Sequence, residues 1–226
     1  MLIAAFETSA DWCSVALWRD GEVAAIEARA SNSHGARALP ALERLLAQAG
    51  AGPKQLDAVA FGAGPGSFTG LRIACGLAQG IAWANRVPVL GVSTLEALAE
   101  DCGASKVIAC VDARMREVYY SAWQKDGGAW REVIETCCIA PGAAPLPEGG
   151  DWIGCGSGFA AYGETMRNTL RVHLRGIDQG ARASAVAVAC LAAPRLAAGQ
   201  GVDASLATPV YVRDKIALTE KERAAP

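Results

Sequence analysis

The sequence predicts an α/β chain of two similar lobes, each built on a mixed sheet, and three observations predict it. The first is an internal repeat. Residues 2–22 and 107–127 follow one plan: a short apolar strand, an acid, a small polar turn, a second alternating strand reaching a Trp, and a charged turn with Gly. The acids are Glu7 and Asp112, the tryptophans are Trp18 and Trp123, and each Trp lies 11 residues after its acid, an offset of 105 residues. The second observation is order: strand-like runs come first in each half, and helical runs then alternate with single strands. The third is size, because 226 residues with 52% hydrophobic composition suffice for two small packed lobes.

Taken in order, the first half opens with a three-stranded antiparallel meander within residues 2–28, its second strand ending at Trp18 and its third at 22–28, and residues 130–136 supply the third strand of the second half. Residues 33–50 form an amphipathic helix with Ala38, Leu39, Leu42, Leu45 and Leu46 on one face, and Pro40 requires it to start late or to bend. A buried strand at 56–62, a loop and helix at 62–84, a strand at 88–92 and a helix from Ser93 complete this half. The second copy is degenerate, with a strand, turn and helix over 150–166 and a later helix over 183–199 interrupted near Pro194. This layout, taken twice, is that of the ribonuclease-H-like lobe of actin-like ATPases and sugar kinases. It divides the chain into lobes 1–104 and 105–226.

The loop at Gly62–Gly70, GAGPGSFTG, is glycine-rich and feeds a helix, as phosphate loops do, yet it fits neither standard phosphate motif. It has no lysine for a P-loop, and Ser67 stands where the dinucleotide fingerprint needs its third glycine. Gly64, Pro65 and Gly66 make a tight turn instead, and Ser67 or Thr69 is the helix cap. A helical wheel of residues 70–84 puts Gly70, Ile73, Ala74, Leu77, Ile81 and Ala84 toward the core. The opposite face carries Arg72, Cys75, Gly76, Gln79, Gly80 and Trp83. A solvated face would hold Lys, Glu and Gln, whereas two helix-weakening glycines beside a Trp suit the close approach of another protein, or of the chain's own second lobe.

Several chemistries lack their residues. Lys+Arg 21 against Asp+Glu 23 leaves no basic surplus for autonomous nucleic-acid binding. Two histidines build no metal motif, no G-x-S-x-G elbow occurs, and the eight cysteines form no C-x-x-C pair, so no metal is expected and the cysteines read mostly as small buried hydrophobes. The N-terminal run meets Glu7 after five apolar residues, so a cytoplasmic protein without a membrane span is expected. Glu7, Thr8 and Ser9 at the first hairpin are candidates for a magnesium-bound phosphate. That motivates the alternative of a small-molecule phosphotransferase of the acetate- or sugar-kinase type, set against an ordinary hydrogen-bonded turn.

The segments AAFETSADWCSVAL, GAGPGSFTGLRIACGLAQGIA, PVLGVSTLEALA, VDARMREVYY and TPVYVRD together resemble the bacterial TsaB (YeaZ) family. The resemblance covers roughly the first 125 residues and the late PVYVR segment. It implies an actin-like two-lobe fold and a non-catalytic role in N6-threonylcarbamoyladenosine (t6A) modification of adenosine 37 in tRNAs that read codons starting with A. It also implies a TsaD-type transferase as partner, a TsaE-type ATPase, self-association as a homodimer when the transferase is absent, and tRNA contact only through the complex. No cofactor is implied within the chain, and ATP or ADP at the partner contact is left open. The docking surface it implies lies on the helix of 33–50 and the helix within 62–84: Leu39, Leu71, Arg72, Cys75, Gly76, Gln79, Gly80 and Trp83. In TsaD-like proteins the segment matching GVSTLEALA carries H-x-x-x-H metal ligands, whereas Thr94 and Leu98 stand there here and Ser93 with Glu96 makes a capping box. Phe6-Glu7 departs from the family's usual Ile-Asp, which puts a nucleotide role for this chain in doubt.

Overall fold

The structure, a computed structural model, describes residues 1–30 and 33–213. The first half contains β1 (Leu2–Glu7), β2 (Trp12–Arg19), β3 (Glu22–Arg29), α1 (His34–Gln48), β4 (Ala58–Gly64), α2 (Phe68–Asn85), β5 (Val89–Ser93) and α3 (Thr94–Cys102). The second half contains β6 (Lys106–Arg114), β7 (Glu117–Asp126), β8 (Ala129–Ile139), β9 (Trp152–Cys155), α4 (Ser157–Thr169), β10 (Leu174–Asp178) and α5 (Ala185–Ala197).

The two sheets repeat one topology. Their strand orders are β3-β2-β1-β4-β5 and β8-β7-β6-β9-β10. In each, the first three strands pair antiparallel and the first, fourth and fifth pair parallel. The repeat is thus a structural duplication, and Glu7 and Asp112 fall near the ends of equivalent strands. Parallel strands need covered faces, and β1 and β4 accordingly read as continuous apolar runs, buried at every position.

The degeneracy of the second copy is an omission. After β8 a 3-10 turn at Pro141–Ala143 and irregular chain lead to β9, so α1 has no counterpart. Strand β10 escapes sequence reading because LRGID is short, half-polar and paired on one side only. Helix α1 runs from His34 straight through Pro40, and Leu39 is 43% exposed, off the buried face of Ala38, Ala41, Leu42, Leu45 and Leu46.

The division at 104/105 falls between α3 and β6, but the cores interlock across it. Helix α5 of the second half packs Ala185, Val188, Ala189 and Ala192 against Ile3, Ala5, Ala16 and Ala60 of the first sheet. Helix α3 of the first half packs Leu95, Leu98 and Ala99 with Val107, Ala109, Trp123 and Cys155 of the second. Each half therefore lends its last helix to the other's core.

Candidate docking surface

The glycine loop is a structural device. Ser67 caps α2, its hydroxyl accepting from the Gly70 amide at 3.4 Å. Thr8 donates through Oγ1 to the Gly70 carbonyl at 2.7 Å, and the Ser67 amide donates to the Ser9 carbonyl at 2.8 Å, so hairpin and helix are pinned together. The glycines make this contact sterically feasible: a Cβ at Gly70 would lie 1.9 Å from the Thr8 carbonyl oxygen, and one at Gly62 would lie 1.9 Å from a Glu7 carboxylate oxygen.

Glu7 and Thr8 consequently face inward. Glu7 is 2% exposed, and its two carboxylate oxygens accept from the Ser9 amide at 2.6 Å and the Thr94 hydroxyl at 3.3 Å. Burial pushes its pKa above the ordinary carboxylate value, against the lowering effect of those hydrogen bonds. The expectation that Glu7 and Thr8 meet a nucleotide is corrected here: both are occupied in fastening β1 to α2 and α3. Ser9, also buried, lies at the wall of the cleft between the lobes, an open space of about 1630 Å³.

The core face of α2 is rotated from its expected position. Its buried residues are Gly70, Leu71, Ala74, Cys75, Ala78 and Ala82, while Ala84 is exposed and Ile73, Leu77 and Ile81 are only half-buried. Apolar residues on nearly every side of this helix leave its periodicity ambiguous, and close contact with β4 selects the stripe of small ones. Leu71 is buried beneath Gly64, so it belongs to the core and not to a docking face. Cys75 is corrected likewise: it is buried, and its thiol, held up in pKa by burial, donates to the Ala207 carbonyl at 3.5 Å.

The cover over Cys75 comes from the chain's own C-terminal segment. Val202 pairs with Val89, and the carbonyl of Ala207 also accepts from the Gln79 side chain at 2.9 Å. The Val210 amide then donates to the Ala63 carbonyl at 2.7 Å. Tyr211 packs on Phe68 with ring centroids 5.6 Å apart and accepts from Arg72 Nε at 3.2 Å. Arg213 reaches the second lobe, donating to Glu117 and to the Arg114 carbonyl. Sequence reasoning missed these partners because a segment without helical or strand periodicity announces no contacts. Asp214, the last residue of TPVYVRD, lies outside the described residues.

Arg72, Gly76, Gly80 and Trp83 remain exposed, and Trp83 is 70% exposed. Gly76 and Gly80 are unlike the loop glycines, because a Cβ at either would meet nothing within 4 Å. With Gln79, Trp83, Ala204 and Ser205 they line a shallow pocket of about 320 Å³. Among the described residues, nothing in the packing requires glycine there. Glycine inside an exposed helix costs about 1 kcal/mol relative to Ala, so these two positions keep a surface flat at the expense of the helix.

Thr94 and Leu98 are both buried, the first bonded to Glu7 and the second in the interlobe core. Ser93 caps α3 through the Glu96 amide at 3.4 Å, but Glu96 does not return to the Ser93 amide as a capping box requires. Its carboxylate is taken by Arg195 of α5 instead.

Comparison with known proteins agrees with this geometry. The family model described as TsaD, tRNA N6-adenosine threonylcarbamoyltransferase, matches residues 27–219. The tRNA threonylcarbamoyladenosine biosynthesis protein TsaB of Escherichia coli K12 is 35% identical over 96% of this chain and 96% of its own. The chain belongs to the TsaB (YeaZ) family. The Haemophilus influenzae TsaB is 39% identical over 75% of this chain and 78% of its own. The crystal structure of a Pseudomonas aeruginosa protein described as similar to peptidase YEAZ superposes with a TM-score of 0.86 at 36% identity, covering 94% of this chain and 99% of that one. YeaZ from the same organism gives 0.85. The ribonuclease-H-like, two-lobed expectation therefore holds. Among the described residues no helix is long and apolar enough to cross a membrane.

Proposed function

We propose that this TsaB-family chain is the non-catalytic partner of a TsaD-type transferase in the t6A modification of adenosine 37 of tRNAs reading codons that start with A. The observation that carries the reading is the α2 face of Gly76, Gly80 and Trp83, open to solvent and built against the chain's own helix stability. Leu39 exposes apolar surface on neighbouring α1. A helix of the transferase lies against the flat glycine strip, with Trp83 as its apolar anchor. In the transferase's absence a second copy occupies the same strip. A TsaE-type ATPase and tRNA join through the assembled complex, with ATP or ADP at the partner contact.

The burial of Thr94 and Leu98 where TsaD-like proteins carry ligands supports a scaffolding part. A kinase-type reaction at the first hairpin has no support, since Glu7 is sealed and hydrogen-bonded. The test is co-purification with the cognate TsaD-type protein, read alongside the t6A content of cellular tRNA. Wild type retains the partner, whereas Gly76→Arg and Trp83→Ala lose it and lower t6A. Undiminished association in both variants overturns this placement of the contact.

A further inference from the structure

Among the described residues the chain passes between its lobes three times. The first two crossings, at 102–106 and 178–185, lie side by side, because Asp101 accepts from the Arg182 amide at 3.1 Å and from the Ser184 hydroxyl at 3.2 Å. Glu27 of β3 also accepts from Arg182, and Glu100 of α3 accepts from Lys125 of β7 at 2.9 Å. The third crossing is the segment from Val202 to Arg213, which runs over α2 and β4 of the first lobe and ends on the β6–β7 hairpin of the second. Its last four residues, 210–213, line the open cleft. We propose that this segment is a clasp that holds the cleft between the lobes at a fixed opening, with the first two crossings as the hinge.

The first-lobe end of the clasp is fastened at several points. Val202 and Val89 exchange backbone hydrogen bonds at 2.8 and 2.9 Å, the Ala207 carbonyl accepts from Gln79, and the Val210 amide donates to the Ala63 carbonyl. The approach is so close that Gly64, at φ +116°, has no room for a side chain: a Cβ there would lie 2.7 Å from the Val210 carbonyl oxygen. The second-lobe end rests on one side chain. Arg213 donates through Nη2 to the Glu117 carboxylate and, at 3.3 Å, to the Arg114 carbonyl, while its Nη1 lies 3.7 Å from the Met115 sulfur. Its guanidinium also sits 6.0 Å from the centre of the Tyr119 ring. The Arg213 side chain is mostly buried and Glu117 half-exposed, so the contact is charge-assisted and yet can be broken.

The hairpin that Arg213 grips is strained. Arg114, Met115 and Arg116 have φ of 61°, 55° and 61°, left-handed values that a tight hairpin turn normally gives to Asn or Gly. A guanidinium bonded to the Arg114 carbonyl and the Glu117 carboxylate brackets that turn on both sides, so losing Arg213 relaxes the tip as well as the cleft. A lobe turning about the first two crossings must carry the tip away from β4 and α2, and the clasp opposes that motion. Arg72 and Gln79 of the α2 face hold the clasp too, through Tyr211 and Ala207. The clasp consists of the chain's own bonds, so the proposal stands whether or not that face binds a transferase.

The test compares the full wild-type chain with Arg213→Ala and Tyr211→Ala, without partners and at the same oligomeric state, by small-angle X-ray scattering and by hydrogen exchange read with mass spectrometry. In Arg213→Ala the radius of gyration should rise, and amide exchange over 112–118 should quicken roughly tenfold, as loss of one charge-assisted hydrogen bond allows. Tyr211→Ala is the sharper variant, because the Tyr211 hydrogen bond to Arg72 and its ring contact with Phe68 both lie in the first lobe. It should quicken exchange over 112–118 as well, an effect at a distance that a merely local prop under the hairpin would not produce. An unchanged radius of gyration in Arg213→Ala, or unchanged exchange over 112–118 in Tyr211→Ala, overturns the proposal. Tyr211 is 45% exposed, so if Arg213→Ala fails to fold, Tyr211→Ala carries both readings.

Discussion

Arg195 of α5 donates to both carboxylate oxygens of Glu96 on α3, Nη1 to Oε2 at 3.0 Å and Nη2 to Oε1. The two helices are the ones the halves exchange, so this fork ties the exchange together at its centre. The Glu96 side chain is 4% exposed and Arg195 33%. A buried carboxylate deprived of the cation bonded to it is costly, while the partial exposure of Arg195 moderates the loss. Arg195→Met should therefore cost about 2 kcal/mol in urea unfolding, and adding Glu96→Gln should restore part of it. Equal stability of wild type and Arg195→Met would show that water serves Glu96 as well as the guanidinium does.

Glycine-to-alanine changes on α2 should divide by position. At Gly76 or Gly80 the new methyl meets open space, so each change should stabilise the isolated chain by about 1 kcal/mol through helix propensity. At Gly70 it would meet the Thr8 carbonyl oxygen at 1.9 Å, and the hairpin must be pushed off the helix, a loss of about 3 kcal/mol or more. Thermal unfolding of the three variants reads both signs. A loss at Gly76 comparable to that at Gly70 would mean that Gly76 serves the fold and not a surface.

Stability and association should part company on the same helix. Trp83→Ala removes a side chain that is 70% exposed, so unfolding should shift by less than about 0.5 kcal/mol. Loss of an aromatic anchor from a docked face costs about 2 kcal/mol, so affinity for the transferase should fall roughly 30-fold. Calorimetric titration of the folded variant checks this, and an unchanged Kd removes Trp83 from the contact.

Much of this arrangement was legible because it is local. Strand alternation, the repeat of Glu7 and Asp112, and the Ser67 cap all follow from neighbours in sequence. The errors arose where distant chain decides. Leu71 and Cys75 look equivalent to their neighbours on a helical wheel until β4 and the segment through Ala207 select one side. Glu96 has the spacing of a capping box, but a guanidinium 99 residues away is a stronger partner than a backbone amide. The open face of Gly76, Gly80 and Trp83 was readable because it breaks local rules without internal compensation.

Glu7 should make the fold sensitive to pH in an unusual direction. Its folded pKa is raised by burial above the reference value of 4.5, so the folded chain holds a proton that the unfolded chain has released. Stability from this site is therefore greatest below 4.5 and declines as pH rises from there toward the folded value, then levels. Glu7→Gln keeps the shape and an acceptor for the Ser9 amide, and its amide group donates to the Thr94 hydroxyl, so it removes the charge without removing the contacts. The variant should match wild type near pH 4 and exceed it increasingly as pH rises, whereas Glu7→Ala should lose stability at every pH through the cavity it leaves. Urea unfolding at a series of pH values separates these cases. A constant difference between wild type and Glu7→Gln from pH 4 to 8 would mean that Glu7 ionises in the folded chain as easily as in the unfolded one.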